Sequence, residues 1–550
     1  MKTPPHFTRS EFLRTAMLAS TGGVLTAGQD KKGQRSLQAT GNNIFDPCQF
    51  GAKPDGVTLC TEAIQRAIEA CAGADGGKVL LSGGSFLSGT LFLRSHVTIE
   101  IDAGATLLGS TTINNYPAKR PGIRSYTDNY ADKSLIVGEN LQNIGLIGHG
   151  TIDGQGSRFG FTRRMPPFEK DRPYLIRFIN CRDVLVDGLR LTDSAMWMQH
   201  YLGCERVIIR GIHVLNYKNQ CSDGIELDGS KDCIVSGCIF ESDDDGITLK
   251  STFEQPCDNI IISDCIIRSH CSAIKMGTES NGGFRNITIS NCIVNSPSGN
   301  EKVVNGVERG LTGIALEIVD GGQLEHITIS NITIQGVTTP IFLRLGDRAR
   351  PFKEGMPTPP VGSFRDIIIS NIVASGIGTC CCSITGIPDH PVQNISLNNI
   401  SIFSEGSVSR DIALEQVQEL VKEYPECTMF GTLPAFGFYC RHVDGLRFSN
   451  IQLRTAAPDL RYAMVLDDVE ELAIDGLDAY SWPDGAPVLG LVQTRGAIIR
   501  GCKHHDKAGI FIKIAGEKSH NILLIGNDLS NNGGEIELAT DVPKDALTVK

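Results

Sequence analysis

One recurring pattern constrains this chain more than any other feature. Nine residues repeat as alternating aliphatics, a Ser-Asn or equivalent pair, then more aliphatics. Copies begin at Arg206, Asp232, Asn259, Asn286, His326, Asp366, Asn394, Gly445 and Glu471. Weaker copies begin at His96, Asn143, Asp183, Gly496 and Asn521. From Arg206 onward most steps are 25–28 residues, and insertions lengthen the others to 40, 40 and 51. Each unit holds short strands of period two broken by Gly, Asn or Asp, so no unit can bury its own apolar face. A propeller blade needs about 40 residues and usually aromatics, and Trp occurs only twice. Heptads are absent. The remaining solution is an all-β solenoid, a parallel β-helix with coils of about 25 residues stacked around an aliphatic interior.

Other signals agree with coiling. Glycine is 60 of 550 residues, more than usual, which suits tight corners. Asn291, Asn331, Asn371, Asn399 and Asn450 align at one repeat position and predict an asparagine ladder. Cys238, Cys265 and Cys292 also share a position, so much of the 18-cysteine content is expected inside as thiols. A solenoid must cap its open end. Residues 61–72 place Ile64, Ala67, Ile68 and Cys71 on one helical face and predict an N-terminal capping helix. Residues 410–423 also read as a helix, within a lateral insertion. A length of 550 residues allows three or four ordinary domains. The repeat reduces them to one solenoid over 45–545, behind an export segment (1–28) and a linker (29–44). Lys2, Arg9 and Arg14 precede the apolar stretch Ala16–Ala27, as in a secretory or twin-arginine signal, although Ser10 stands where a second arginine belongs. The expected location is periplasmic or extracellular.

Sixty-two acidic against 51 basic residues give a net charge of -11, a field that repels nucleic-acid phosphate. No apolar run reaches 18 residues, so a membrane-spanning helix is not expected. The second strands align as well. Asp223-GIELD, Asp245-GITLK, Ser272-AIKMG, Thr312-GIALE and Thr339-PIFLR place Ile, Leu or Met at the third and fifth positions, which point inward. The fourth position (Glu226, Thr248, Lys275, Ala315, Phe342) and the sixth (Asp228, Lys250, Gly277, Glu317, Arg344) then point out. The sixth-position pairs Asp228–Lys250 and Glu317–Arg344 read as surface ladders or as the floor of a groove.

Rungs lie about 4.8 Å apart, so Asp223 stacks on Asp245, with Asp244 beside it. Carboxylates that close cannot all ionise freely, and at least one pKa should rise. That equipment suits general acid/base hydrolysis; calcium binding and aspartates serving only as turn residues are the alternatives. His270, Lys275, Lys250, Arg344 and Glu226 are the candidate substrate-binding residues. His200 reads as structural. His390, with Arg344, Arg348 and Arg350, reads as a solvated loop cluster. Arg441 and His442 follow the aromatic run Phe436–Tyr439, which either walls a sugar site or packs the insertion.

At these residues the chain resembles the polygalacturonase family of pectin glycoside hydrolases. The resemblance covers about 45–480. It includes FDPCQFGAKPDG from Phe45, GHGTIDGQG from Gly148 and WMQH from Trp197; its strongest part is Ser222-Asp223-Gly224 followed 21 and 22 residues later by Asp244-Asp245. The resemblance implies a right-handed β-helix and an inverting hydrolase of pectic polysaccharide, with neither cofactor nor metal. Asp244 is then the general acid, and Asp223 and Asp245 hold and deprotonate the attacking water. The chain departs from the family where Cys221-Ser222 replaces Asn-Thr, where Cys271 or Ser272 replaces a histidine, and where Ala315-Leu316-Glu317 replaces Arg-Ile-Lys. Glu317 in place of a galacturonate-binding lysine points away from simple polygalacturonan and toward rhamnogalacturonan or branched pectin, with Lys275 as the substitute cation. A monomer is expected. A calcium-dependent β-helix lyase and a non-catalytic carbohydrate-binding β-helix remain open as alternatives.

Overall fold

The computed structural model describes residues 43–159, 172–297, 302–504, 509–528 and 536–550. The expected export segment, and all but two residues of the expected linker, lie outside them. The strands of these residues join one continuous network of 39, running from Ile44–Phe45 to Leu547–Val549. The ladders between them are parallel, each strand pairing with its counterpart one coil away. The fold is therefore a parallel β-helix.

The repeat has a conformational cause. The first residue of every copy, from His96 and Asn143 to Gly496 and Asn521, has a positive φ between 52° and 78°. These are left-handed corners that turn one strand into the next coil, and Asn, Asp and Gly tolerate them best. The ladder asparagines form a second left-handed corner at φ 53–58°. Their side chains bond in series, Asn331 to Asn291 at 3.1 Å, Asn371 to Asn331 at 2.9 Å, Asn399 to Asn371 at 2.7 Å and Asn450 to Asn399 at 2.9 Å. Each amide donates to the coil before it and accepts from the coil after it.

The interior holds the inward positions as expected. Ile225, Leu227, Ile247, Leu249, Ile274, Met276, Ile314, Leu316, Ile341 and Leu343 all belong to the one large core. Cys238, Cys265 and Cys292 are buried in that core and continue into a column of Ile332, Ile372, Ile400 and Ile451. All 18 cysteines are free thiols. The helix Thr61–Gly73 buries Ala63, Ile64, Ala67, Ile68 and Cys71 against the first coils and closes the N-terminal end.

The insertion after residue 404 departs from expectation. Only Arg410–Leu414 forms a short 3-10 turn, and Glu415 is already extended. The carbonyls a longer helix would use are bonded elsewhere. Val417 accepts from Arg441, Glu419 and Leu420 accept from Arg344, and Val421 accepts from the Asp347 amide. Tertiary donors replace the helical ones. Leu311, Ala315 and Phe342 of the sheet face form a small apolar cluster with Cys427, flanked by Met429 and Phe430, which clamps the insertion over the outer face.

Replacing Asn371 by Ala removes two side-chain hydrogen bonds and forces a Cβ-bearing residue without a local polar contact into the left-handed region. Chemical denaturation should show a loss of about 2–3 kcal/mol. Asn371→Gly should lose less, because it keeps the backbone unstrained.

Candidate active site

A single outward column organises the site. Residues in register run Arg177, His200, Glu226, Thr248, Lys275, Ala315, Phe342, Ser383, Tyr439, Val465, Gly490 and Lys513. Asp223 and Asp245 precede their strands on successive coils, joined by the Gly224 amide donating to the Asp245 carbonyl at 3.0 Å. The glycine after each aspartate allows this closeness. A Cβ on Gly224 would sit 2.5 Å from the Gly246 carbonyl, and one on Gly246 would sit 2.6 Å from the Ala273 carbonyl. The Asp-Gly pairs thus do more here than make turns.

The three aspartates differ in environment. Asp223 and Asp245 are only 3% and 4% exposed, whereas Asp244 is half-buried. Asp245 accepts from the Ser272 amide at 2.9 Å and pairs with Lys275 Nζ at 3.0 Å. Asp244 accepts from the Asp245 amide at 3.0 Å. Carboxylate oxygens of Asp244 and Asp245 and the Cys271 sulfur all lie within 4.8 Å of one another. Burial foremost, then the charge of Asp244, pushes Asp223 up to about 8, against the opposing pull of Lys250. Glu226, fully buried, is pushed well above the carboxylate range by burial and by Asp223. The rise expected of stacked carboxylates therefore falls on Asp223, and the adjoining Glu226 shares it.

The other expected binding residues divide. Lys250 is buried, pairs with Glu279 at 3.4 Å and lies 4.9 Å from the Trp197 ring centre. Burial opposes its charge, but Glu279, Asp223 and Glu226 together hold its pKa above the usual value. Lys275 is likewise buried and kept charged chiefly by Asp245. His270 is buried, with Nδ1 2.8 Å from Asp243 Oδ1, and Lys302 approaches the same carboxylate at 3.5 Å.

Arg344 is not in this group. Its guanidinium donates to Thr385 and to the carbonyls of Gly386, Glu419 and Leu420, and it faces the Phe430 ring. It anchors the insertion. The expected surface ladders are also absent. Asp228 and Lys250 are neighbours in register, yet Asp228 is buried and accepts from Thr252, with His200 Nε2 at 3.0 Å. Glu317 sits buried near Lys275 and Glu426, and both of its oxygens lack a hydrogen-bond partner among the described residues. These positions do point out of the coil, yet neighbouring residues bury them.

Sequence reasoning missed several contributors. Arg348 and Arg350 do not form a solvated cluster with His390. They bind Asp320, and Arg350 also bonds Glu279 at 3.0 Å and Tyr126. Tyr424 and Glu426 come from the insertion. The Tyr424 ring is exposed and lies 5.7 Å from both Lys275 Nζ and the Arg348 guanidinium. Insertion residues have no repeat register, so no alignment of coils could place them. His200 is buried and its pKa is lowered to about 4, mainly by burial, consistent with a structural role.

The model of the glycosyl hydrolases family 28 matches residues 71–420. A probable polygalacturonase of Vitis vinifera is 33% identical over 216 residues, 38% of this chain and 44% of that protein. An exo-poly-alpha-D-galacturonosidase of Dickeya chrysanthemi is 25% identical over 259 residues, 38% of this chain and 42% of that protein. The chain thus spans less than half the length of these relatives. Among solved structures, an exopolygalacturonase of Thermotoga maritima is similar with a TM-score of 0.57 at 20% identity, over 77% of this chain and 94% of that one. A family 28 exopolygalacturonase of Yersinia enterocolitica gives 0.60 at 18% identity, over 82% and 80%. These likenesses show the fold, a right-handed parallel β-helix.

Asp223 bears on stability as well as chemistry. Its folded pKa is raised, so its contribution is fully present below the unfolded value of 3.8 and is lost as pH rises through about 8. Asp223→Asn should therefore raise the melting temperature relative to wild type, by more at pH 8 than at pH 4.

Proposed function

From the fact that this chain belongs to the glycosyl hydrolases family 28, we propose that it is an exported, inverting glycoside hydrolase of pectic polysaccharide. The observation that carries the reading is the three-aspartate cluster with unequal exposure, in which burial and the charge of Asp244 raise the pKa of Asp223. Asp244 is the member a leaving oxygen can reach, and in this reading it delivers the proton. Asp245, paired with Lys275 and bonded by the Ser272 amide, and Asp223 grip the attacking water. Burial keeps a proton near Asp223 in the free protein. Once Asp223 has lost that proton it can accept one from the attacking water. The nearest oxygens of Asp244 and Asp245 are closer than the usual ~6.5–9.5 Å of inverting enzymes. Inversion is therefore carried by family membership and not by this spacing. A calcium-based lyase fits the donors less well, because calcium takes six to eight oxygens. Here one carboxylate is already bound to an ammonium and a third donor is sulfur.

Two finer readings follow. The insertion clamps over Ala315 and Phe342, one and two rungs past Lys275, about 5–10 Å along the face. A groove stopped there accepts a chain end, as the name of the Dickeya relative also suggests. Lys275 is already paired with Asp245 and flanked by Glu317 and Glu426, which favours rhamnogalacturonan or branched pectin over simple polygalacturonan. Export rests on the arginine and apolar pattern of residues 1–28.

Asp244→Asn should lower kcat on the best pectic substrate by about 10²–10⁴ while the melting temperature stays near wild type. Near-normal turnover would remove Asp244 from the acid role. Product analysis on galacturonan and rhamnogalacturonan oligomers should show small chain-end products from the first minutes. Mid-chain cuts would remove the chain-end reading.

A further inference from the structure

The same sheet face carries a second cavity, on the far side of the insertion from the aspartates. Its volume is about 400 Å³, within the range of small-ligand sites. The column that holds Glu226, Thr248 and Lys275 continues through Ala315, Phe342 and Ser383 to Tyr439, Val465, Gly490 and Lys513. Tyr439 lies four rungs past Lys275, about 19 Å along the axis. The insertion is a shared wall. Its Ala413, Glu415, Gln416, Val417 and Pro434 line this cavity, while its Tyr424 and Glu426 face Lys275.

The lining has a definite chemistry. Gly490 leaves a gap in a column of side chains, and the Tyr462 ring lies against it. A Cβ on Gly490 would come within 3.1–3.5 Å of three ring atoms. The half-buried ring offers an apolar, polarisable surface beside Val465 and Leu491. Around it stand hydrogen-bonding groups: the Tyr439 hydroxyl, 3.4 Å from Asp467 Oδ2, then Asp467 itself, Gln416 and Gln493. The charged side chains of the lining balance, Glu415 and Asp467 against Arg441 and Lys513. Both cations are already paired, Arg441 with Glu419 and Asp467, and Lys513 with Glu537 at 2.6 Å. An anionic ligand would have to displace a carboxylate from its partner. A ligand with apolar C–H faces and hydroxyl edges meets each part of the lining without doing so.

We infer that this cavity is a second, non-catalytic saccharide-binding site for one or two neutral sugar units, with the Tyr462 ring over Gly490 as its platform. The inference does not rest on the hydrolytic reading, because none of these residues belongs to the aspartate cluster. In a chain that acts on a branched polysaccharide, such a site holds a neutral branch within about 20–30 Å of the aspartates and keeps the polymer on the enzyme between turnovers.

The test uses the full chain carrying Asp244→Asn, so that no probe is consumed. Saturation-transfer NMR is recorded with D-galactose, L-rhamnose, L-arabinose and the β-1,4 dimer of galactose. At least one should bind saturably. Adding Gly490→Val, which drives the Tyr462 ring into the cavity, or Tyr462→Ala, which removes the platform, should weaken that binding about tenfold or more. Melting temperatures report whether each variant is folded, and galacturonic acid serves as the anionic control. Binding by none of the four neutral sugars, binding that survives Gly490→Val in the folded protein, or stronger binding of galacturonic acid would each overturn the inference.

Discussion

Everything in this molecule follows from stacking one coil on the next at the spacing of a parallel ladder. At about 4.8 Å per rung, each side chain has the same position of the neighbouring coil as its closest companion. Inside, this makes continuous columns of Ile, Leu, Val and Cys, whose burial supplies the stability. At the corners it lets one asparagine amide satisfy the next. On the outer face the same rule forces unlike demands together. A carboxylate at one rung must meet whatever the next rung presents, and where both are Asp the pair cannot ionise independently. The chemistry of the site is thus a consequence of the architecture that holds it.

Charge on that face is managed by pairing. Lys275 answers Asp245, Lys250 answers Glu279, and Arg348 and Arg350 answer Asp320. Buried ions of this kind are tolerated only with partners. The unanswered groups are the informative ones. Glu317 has no hydrogen-bond partner for either oxygen among the described residues, Glu226 meets the Asp223 carboxyl, and both are pushed toward the protonated form. The net charge of -11 therefore does not set the field at the site; local pairs do.

The lateral insertion does two jobs through one wall. Its far end, with Tyr424, Glu426 and Cys427, packs over the face beside the aspartates. Its near end, with Glu415–Val417, borders the second cavity. Arg344 is the rivet, donating to insertion carbonyls from within the sheet face. A residue that sequence alone offers as a substrate cation is spent on architecture, and an insertion that sequence offers as a helix is held open by that residue.

The division between what was legible and what was not has a physical basis. Short-range pattern was sufficient for whatever depends on the repeat: the coil, the inward columns, the asparagine ladder, the thiol stack and the capping helix. It was also sufficient to bring Asp223, Asp244 and Asp245 together, because register carries one coil onto the next. It could show that Glu226, Lys250, Lys275 and Glu317 point outward. It could not show how Lys275 and Glu317 are buried, because Tyr424 and Glu426, which lie against them, come from an insertion with no repeat and no register. Only the tertiary structure decided which carboxylate each lysine answers, that Arg344 serves the insertion, and that Gly490 opens a second cavity on the same face. Pairing in a parallel ladder is periodic and can be counted along a chain; the packing of irregular loops on that ladder is settled by shape and charge in three dimensions.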